Sequence, residues 1–434
     1  MSTLALFGGN PVVTEEPGDL FLWPIVTEED EQAILSVLHD RSMSGTSITK
    51  EFEKEMASWL GVKYALGYCN GTAGLQAALW ACGVRAGDEV ICPSMTYWAS
   101  AAPALSLGAA VNFADIDPVT LCIDPDDIEH RIGSRTKAIV VVHYAAYPCD
   151  MDRILPIARR HGIKVIEDAS HAPASRYKGR PCGTFGDVAV MSFMTAKSLA
   201  IGEGGMLFTD DRRIFERCIS FGFYERTGSV SEFFSSDNQL TDPDLQKFAG
   251  VPAGGCKHRM HQMSSAMGRV QLRYFDERIK AIDAAMKYFW DSLTAVPRLS
   301  GHQVDSRDGS SMGGWYYPQG IFNNSQLPRG TLAKVCQALQ AEGVKVCMPC
   351  RNSPLHLHPA FHDLDIFGTG NPTMISFTER DVRQGKGSLP NAELITEYSF
   401  GVPWFKHSDR PMIDRYVEAF RKVFGQLDLL VHKT

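Results

Sequence analysis

Between about residues 50 and 275, short apolar and β-branched runs alternate with longer amphipathic stretches. Runs of strand length lie at Tyr64–Tyr68, Glu89–Cys92, Ala110–Ala114, Ala138–His143, Lys164–Asp168, Asp187–Phe193 and Gly205–Thr209. Between them, stretches such as Thr72–Ala81 and Asp150–His161 carry the spacing of helices with one buried face. This alternation predicts βαβ units around a mostly parallel sheet. Ligands of such open sheets bind beyond the carboxyl ends of the strands, so the polar residues that follow each run are the first candidates for function.

The regular pattern breaks in a polar, glycine- and serine-containing segment, Gly228 to Gly255, and a long helical pattern follows from about His261 to Thr294. The remainder is mixed: weaker strands near Trp315–Ile321 and Lys345–Cys347, helices near Thr331–Glu342 and Arg410–Phe424, and a loop-rich stretch from Asn352 to Pro390. The expected division is a large domain over 50–275 and a smaller α/β domain over 276–434. Residues 1–49, with one short helix at Thr27–Leu38, are expected to pack on the smaller domain.

Composition narrows the function. A 434-residue chain with 44% hydrophobic and 21% charged residues has the balance of a globular protein with a sizeable core, which excludes disordered and fibrous classes. The net charge of −7 comes with scattered Lys and Arg and no basic stripe, so nucleic acid is not an expected partner. No apolar stretch reaches the ~18–20 residues of a membrane helix, and the start lacks a basic-then-apolar leader, so a cytoplasmic protein is expected. Eleven evenly spread cysteines suit reduced thiols without a disulfide framework. Cys347 and Cys350 form a C-x-x-C, but no second pair at zinc spacing follows, and two thiols near a strand end is the preferred reading. No metal site is expected.

Four segments carry candidate chemistry. In CNGTAGLQAAL a strand gives way at Gly71 and Thr72 to an alanine-rich helix. A helix N-terminus with a glycine is a plausible phosphate cradle, although Thr72 as an ordinary N-cap explains the same residues. In KVIEDASHA a buried strand runs into Glu167 and Asp168. A carboxylate at that place needs a cation or several donors, and a protonated pyridine nitrogen would serve; one of the two acids is readily explained as a helix cap. In DVAVMSFMTAKSLAIGEGG, Lys197 follows a strand ending at Ser192, in otherwise uncharged surroundings that favour a neutral, nucleophilic amine. In PSMTYWASA, Tyr97 or Trp98 offers a ring face for a flat cofactor, with one expected to stack and the other to pack in the core.

In this order, the strand-end G-T, the aromatic after P-S-M-T, E-D-A-S-H-A, and S-F followed by lysine and G-E-G-G resemble the DegT/StrS-type sugar aminotransferases. The resemblance extends from SGTSITKEFEKEMASWLG into the small domain. It implies a pyridoxal 5′-phosphate enzyme of the aspartate-aminotransferase fold (fold type I), with Lys197 as the Schiff-base lysine and Asp168 as the acid facing the pyridine nitrogen. It further implies Tyr97 stacked on the ring, His171 near the phenolic oxygen, and Gly71, Thr72 and Ser192 at the phosphate. Where the family reads G-Y-N-Y-R-M, this chain has Gly255, Cys256, Lys257, His258, Arg259 and Met260, so Lys257 stands for an asparagine that reaches the partner subunit's cofactor phosphate; a solvated lysine on a loop explains the position equally well.

Some members carry histidine in place of the lysine and act as dehydratases; Lys197 favours transamination. The resemblance also implies a homodimer, with glutamine or glutamate as donor and a keto-sugar or keto-cyclitol as acceptor. The segments LALFGGNPVV, PLHLHP and PWFKH resemble members of antibiotic pathways. His356, His358 and Arg351 are candidates for reading a hydroxyl-rich acceptor, although a histidine in a proline-bounded loop is more often structural. A non-catalytic regulator on the same fold is the alternative from another class. A dinucleotide dehydrogenase would require a G-x-G-x-x-G that CNGTAG does not supply.

Overall fold

The computed structural model describes residues 2–228 and 238–432. Seven strands form one sheet in the order Tyr64–Tyr68, Gly205–Thr209, Val188–Ser192, Lys164–Asp168, Thr136–Val142, Glu89–Pro93, Ala110–Ala114. Only Gly205–Thr209 runs against its neighbours, pairing antiparallel with the strands on either side; the other pairings are parallel. Apolar side chains cover both faces. Val140, Ile166, Val190 and Leu207 all have no accessible surface, as the continuous Val and Ile runs of a covered parallel sheet require.

Local chemistry sets the ends of the helices. The helix Glu28–His39 begins with a reciprocal capping box between Thr27 and Asp30. The helix Met151–His161 is capped by Asp150 and closed by Gly162 in the left-handed conformation. A helix at Ser47–Leu60, absent from the expected elements, ends the same way at Gly61. The 32-residue helix Gln262–Leu293 passes unbroken through residue 275, so the expected domain boundary falls inside an element.

A second, three-stranded antiparallel sheet joins Leu299–Gly301, Gln319–Phe322 and Ser399–Gly401. The strand expected from Trp315 starts only at Gln319, because Trp315 and Tyr317 have positive φ values of 50° and 55°, outside the extended region. The expected strand at Lys345–Cys347 is a turn with one isolated bridge beside it, between Pro349 and Phe400. In the Gly228–Gly255 segment, residues 229–237 lie outside the described residues, and a short helix forms at Pro243–Gln246.

Leu4, Val13 and Leu20 pack in one apolar cluster with Val344, Phe405 and Tyr416. A buried ion pair lies in the same region. Glu342 accepts from Lys422 at 2.8 Å and from the backbone N–H groups of Ala5 and Val12, tying the beginning of the chain to its last long helix. Among the described residues no helix is long and apolar enough to cross a membrane. All eleven cysteines are free. Cys347 packs with the second sheet's core, while Cys350 turns to the large-sheet core and meets the Tyr144 hydroxyl at 3.5 Å, so the C-x-x-C thiols face different surroundings.

Candidate active site

A cavity of about 350 Å³ opens beyond the carboxyl ends of the central strands. Gly71, Thr72, Tyr97, Asp168, His171, Ser192 and Lys197 all line it. Of the predicted cofactor-binding positions, Lys257 alone does not; it lies exposed on its loop.

The cradle is built by close backbone approach. Asn70, not Thr72, caps the helix Gly71–Ala81, its Oδ1 accepting from Ala73 N at 2.9 Å. Thr72 is therefore released from the capping role and keeps its hydroxyl for the cavity. The first-turn N–H groups of Gly71 and Thr72 have no helical carbonyl within reach, which leaves them available to an anion. A Cβ on Gly205 would sit 2.5 Å from Gly71 N, so the glycine is what lets the reversed strand pass under this turn.

The two adjacent acids divide their work by strand alternation. Glu167, fully buried, points away from the cavity and binds His143 Nε2 at 2.9 Å and the N–H groups of Gly183, Phe185 and Gly186 at 2.6–2.7 Å. Burial pushes its carboxyl upward, but the His143 contact and these N–H groups more than offset that and hold it below the usual range. Asp168 faces the cavity instead. Its Oδ2 accepts from Ser100 Oγ at 2.6 Å and its Oδ1 from Ser170 N at 3.1 Å.

Lys197 is 7% exposed, and among the described residues no hydrogen bond or ion pair holds its amine. The amine lies 4.1 Å from the centre of the Tyr316 ring. Burial brings it down to about 8, against the opposing pull of Asp168, so a sizeable neutral fraction exists near pH 8. Trp23 Nε1 donates to the Lys197 carbonyl at 2.8 Å and fixes the loop. His171 Nδ1 accepts from Ala145 N at 3.4 Å, which leaves the ring proton on Nε2. Burial, with Lys197 nearby, pushes His171 well below the ordinary histidine range, so it is a neutral donor.

Tyr97 is at the mouth of the cavity, 54% exposed. Trp98 was expected in the core but leans on Tyr97 at 5.1 Å and remains 47% exposed, because the short turn that holds both residues directs their side chains outward. Sequence reasoning missed Tyr316, Tyr317, Asn352 and Glu203, which also line the cavity. Tyr316 is held between the two positive-φ residues Trp315 and Tyr317, a costly local backbone sustained by Trp315 Nε1 bonding to Asp283 at 2.9 Å. Arg351 lines the rim. His356 does not; it is buried between Ser94 Oγ at 2.7 Å and Glu393 at 3.1 Å, while His358 caps a short turn.

A mostly parallel sheet with one reversed strand, carrying its cavity between the sheet's carboxyl ends and a smaller antiparallel sheet, is the architecture of fold type I aminotransferases. An aminotransferase from Psychrobacter cryohalolentis superposes with a TM-score of 0.77 at 28% identity, over 94% of this chain and 99% of that one. The chain belongs to the DegT/DnrJ/EryC1/StrS aminotransferase family, matched over residues 24–399. Among its relatives, the L-glutamine:2-deoxy-scyllo-inosose aminotransferase of Streptomyces kanamyceticus is 41% identical over 374 residues, 83% of each chain. The GDP-perosamine synthase of Caulobacter vibrioides is 34% identical over 341 residues, 76% of this chain and 86% of that one.

Proposed function

We propose that the chain is a pyridoxal 5′-phosphate-dependent aminotransferase that moves an amino group from glutamine or glutamate to a keto-sugar or keto-cyclitol, as in aminocyclitol antibiotic biosynthesis. The observation that carries this reading is the buried, unpaired amine of Lys197 in the same cavity as the Asp168 carboxylate. The donor set suits the cofactor. Gly71, Thr72 and Ser192 would hold its phosphate, Asp168 its ring nitrogen, Tyr97 its ring face and His171 its phenolic oxygen. Lys197 would hold its aldehyde carbon. When bound, the cofactor supplies an electron sink for the carbon that loses its proton.

The chain's own groups move the protons. Lys197 Nζ takes the α-proton from the amino donor and later delivers a proton to the former carbonyl carbon of the acceptor. Asp168 presents to the cavity a carboxylate fixed by Ser100 Oγ and Ser170 N. Tyr316, Tyr317, Arg351 and Asn352 offer hydroxyl, amide and guanidinium groups to a polyhydroxylated acceptor. The working unit in this reading is a homodimer in which Lys257, exposed within one subunit, reaches the other's cofactor phosphate as a point charge. The reading places the protein in the cytoplasm, where free thiols persist.

Purified protein mixed with pyridoxal phosphate should develop visible absorbance, and Lys197→Ala should lack the wild-type band. A wild type that stays colourless and takes up no cofactor sinks the proposal. Mass spectrometry of reactions with L-glutamine and a panel of keto-sugars and keto-cyclitols identifies the acceptor.

A further inference from the structure

We propose that Thr96 and Ser100 form a two-hydroxyl relay that positions Asp168, keeping its carboxylate turned into the cavity. This rests on the reading above, in which Asp168 meets the ring nitrogen of the cofactor. Thr96 Oγ1 lies 2.8 Å from Ser100 Oγ, and Ser100 Oγ lies 2.6 Å from Asp168 Oδ2. A carboxylate can only accept, so the Ser100 proton is committed to Asp168; Ser100 must then accept from Thr96. The chain of donors has one direction, Thr96 to Ser100 to Asp168. Its last link has the short length of a hydroxyl bonded to an anion.

Both hydroxyls are out of water, with Thr96 2% and Ser100 1% exposed, so no solvent donor competes for either bond. Ser100 is not among the residues lining the cavity and acts through Asp168 alone. On the other side, Ser170 N holds Oδ1, so each carboxylate oxygen is pinned once and the rotation of the group is removed. Of the roughly four acceptor positions of a carboxylate, the remainder stay open for a ligand. The relay also explains the spacing T-x-x-x-S. Ser100 N bonds back to Tyr97 O at 3.0 Å, so one tight turn presents Tyr97 at the cavity mouth and the Asp168 support beneath it.

The test compares wild type, Ser100→Ala, Ser100→Thr and Thr96→Val, each reconstituted with pyridoxal phosphate. Three quantities are measured: cofactor dissociation constant, the pH midpoint of the bound cofactor's visible spectrum, and the single-turnover rate with L-glutamine. Ser100→Ala should raise the dissociation constant by about 10-fold, the effect of one hydrogen bond to a charged group. It should also shift the spectral midpoint upward, because a carboxylate free to turn no longer holds the proton on the ring nitrogen. Turnover should slow with little change in the half-saturating glutamine concentration. Ser100→Thr should restore all three quantities, and Thr96→Val, which keeps shape and removes the donor, should shift the midpoint in the same direction by less. If Ser100→Ala does not fold, Thr96→Val carries the same test. A wild type that takes up no pyridoxal phosphate overturns the cofactor reading itself. A wild type that binds it normally, with variants whose spectral midpoints match, overturns the relay alone.

Discussion

The Lys197 amine faces the ring of Tyr316 at 4.1 Å, and Tyr316 in turn meets Trp404 edge-on with ring centres 5.8 Å apart. This aromatic wall keeps water from the amine. Tyr316→Ala should therefore let the amine return toward its ordinary range, moving the pH midpoint of cofactor capture upward from near 8. Tyr316→Phe, which keeps the ring, should leave it in place. Stopped-flow measurement of pyridoxal phosphate uptake against pH checks both, and an unmoved midpoint in Tyr316→Ala would show that the wall does not set it.

Asp168→Asn keeps the shape of the side chain and removes its charge. The single-turnover rate with L-glutamine should fall about 10²–10³-fold, the scale seen when one preorganised electrostatic partner is lost. Thermal stability should change far less. A loss confined to glutamine affinity would contradict the role.

Glu167 serves the fold and not the cavity. Glu167→Gln should lower unfolding free energy at pH 7 by about 3–5 kcal/mol, as for a broken buried pair, because His143 loses its partner. The sign of the pH dependence follows from the carboxyl's lowered folded-state pKa. Its contribution is full above the unfolded carboxylate value of ~4.3 and is lost as pH falls through the folded one. Below about pH 4.3, wild type should thus lose stability more steeply than the glutamine variant in guanidinium titrations.

Lys422→Met leaves Glu342 buried with the Ala5 and Val12 amides but no cation. Destabilisation of about 3–5 kcal/mol is expected. Glu342→Gln combined with Lys422→Met should recover part of it, since the uncompensated charge is gone. Denaturant midpoints of the two variants decide this, and equal stability of both would refute it.

Much of this architecture is legible in residues close together in the chain. Strand runs such as Val188–Ser192 declare themselves because both faces of the sheet are covered, which demands continuous apolar residues. The failures are equally specific. Trp315 is an aromatic in an apolar run, yet its backbone has a positive φ that only surrounding contacts, such as the Asp283 bond, sustain. Thr72 looked like a cap because threonine caps well, but Asn70 fills that role, a choice settled by the geometry of the turn.

What the sequence determined alone is the order of strands and helices, the family, and the polar residues waiting at strand ends: Thr72, Asp168, Ser192 and Lys197. These follow from hydrophobic period and from the unusual cost of placing charge where the chain becomes buried. Which acid faces the cavity and what stands beside each group were decided by tertiary structure. The link from Ser100 to Asp168, the Tyr316 ring over Lys197, and the exposure of Trp98 and Lys257 arise between segments distant in sequence or at a turn facing outward. No local pattern encodes them, because burial and hydrogen-bond distance depend on how the sheet, the loops and the second antiparallel sheet come together.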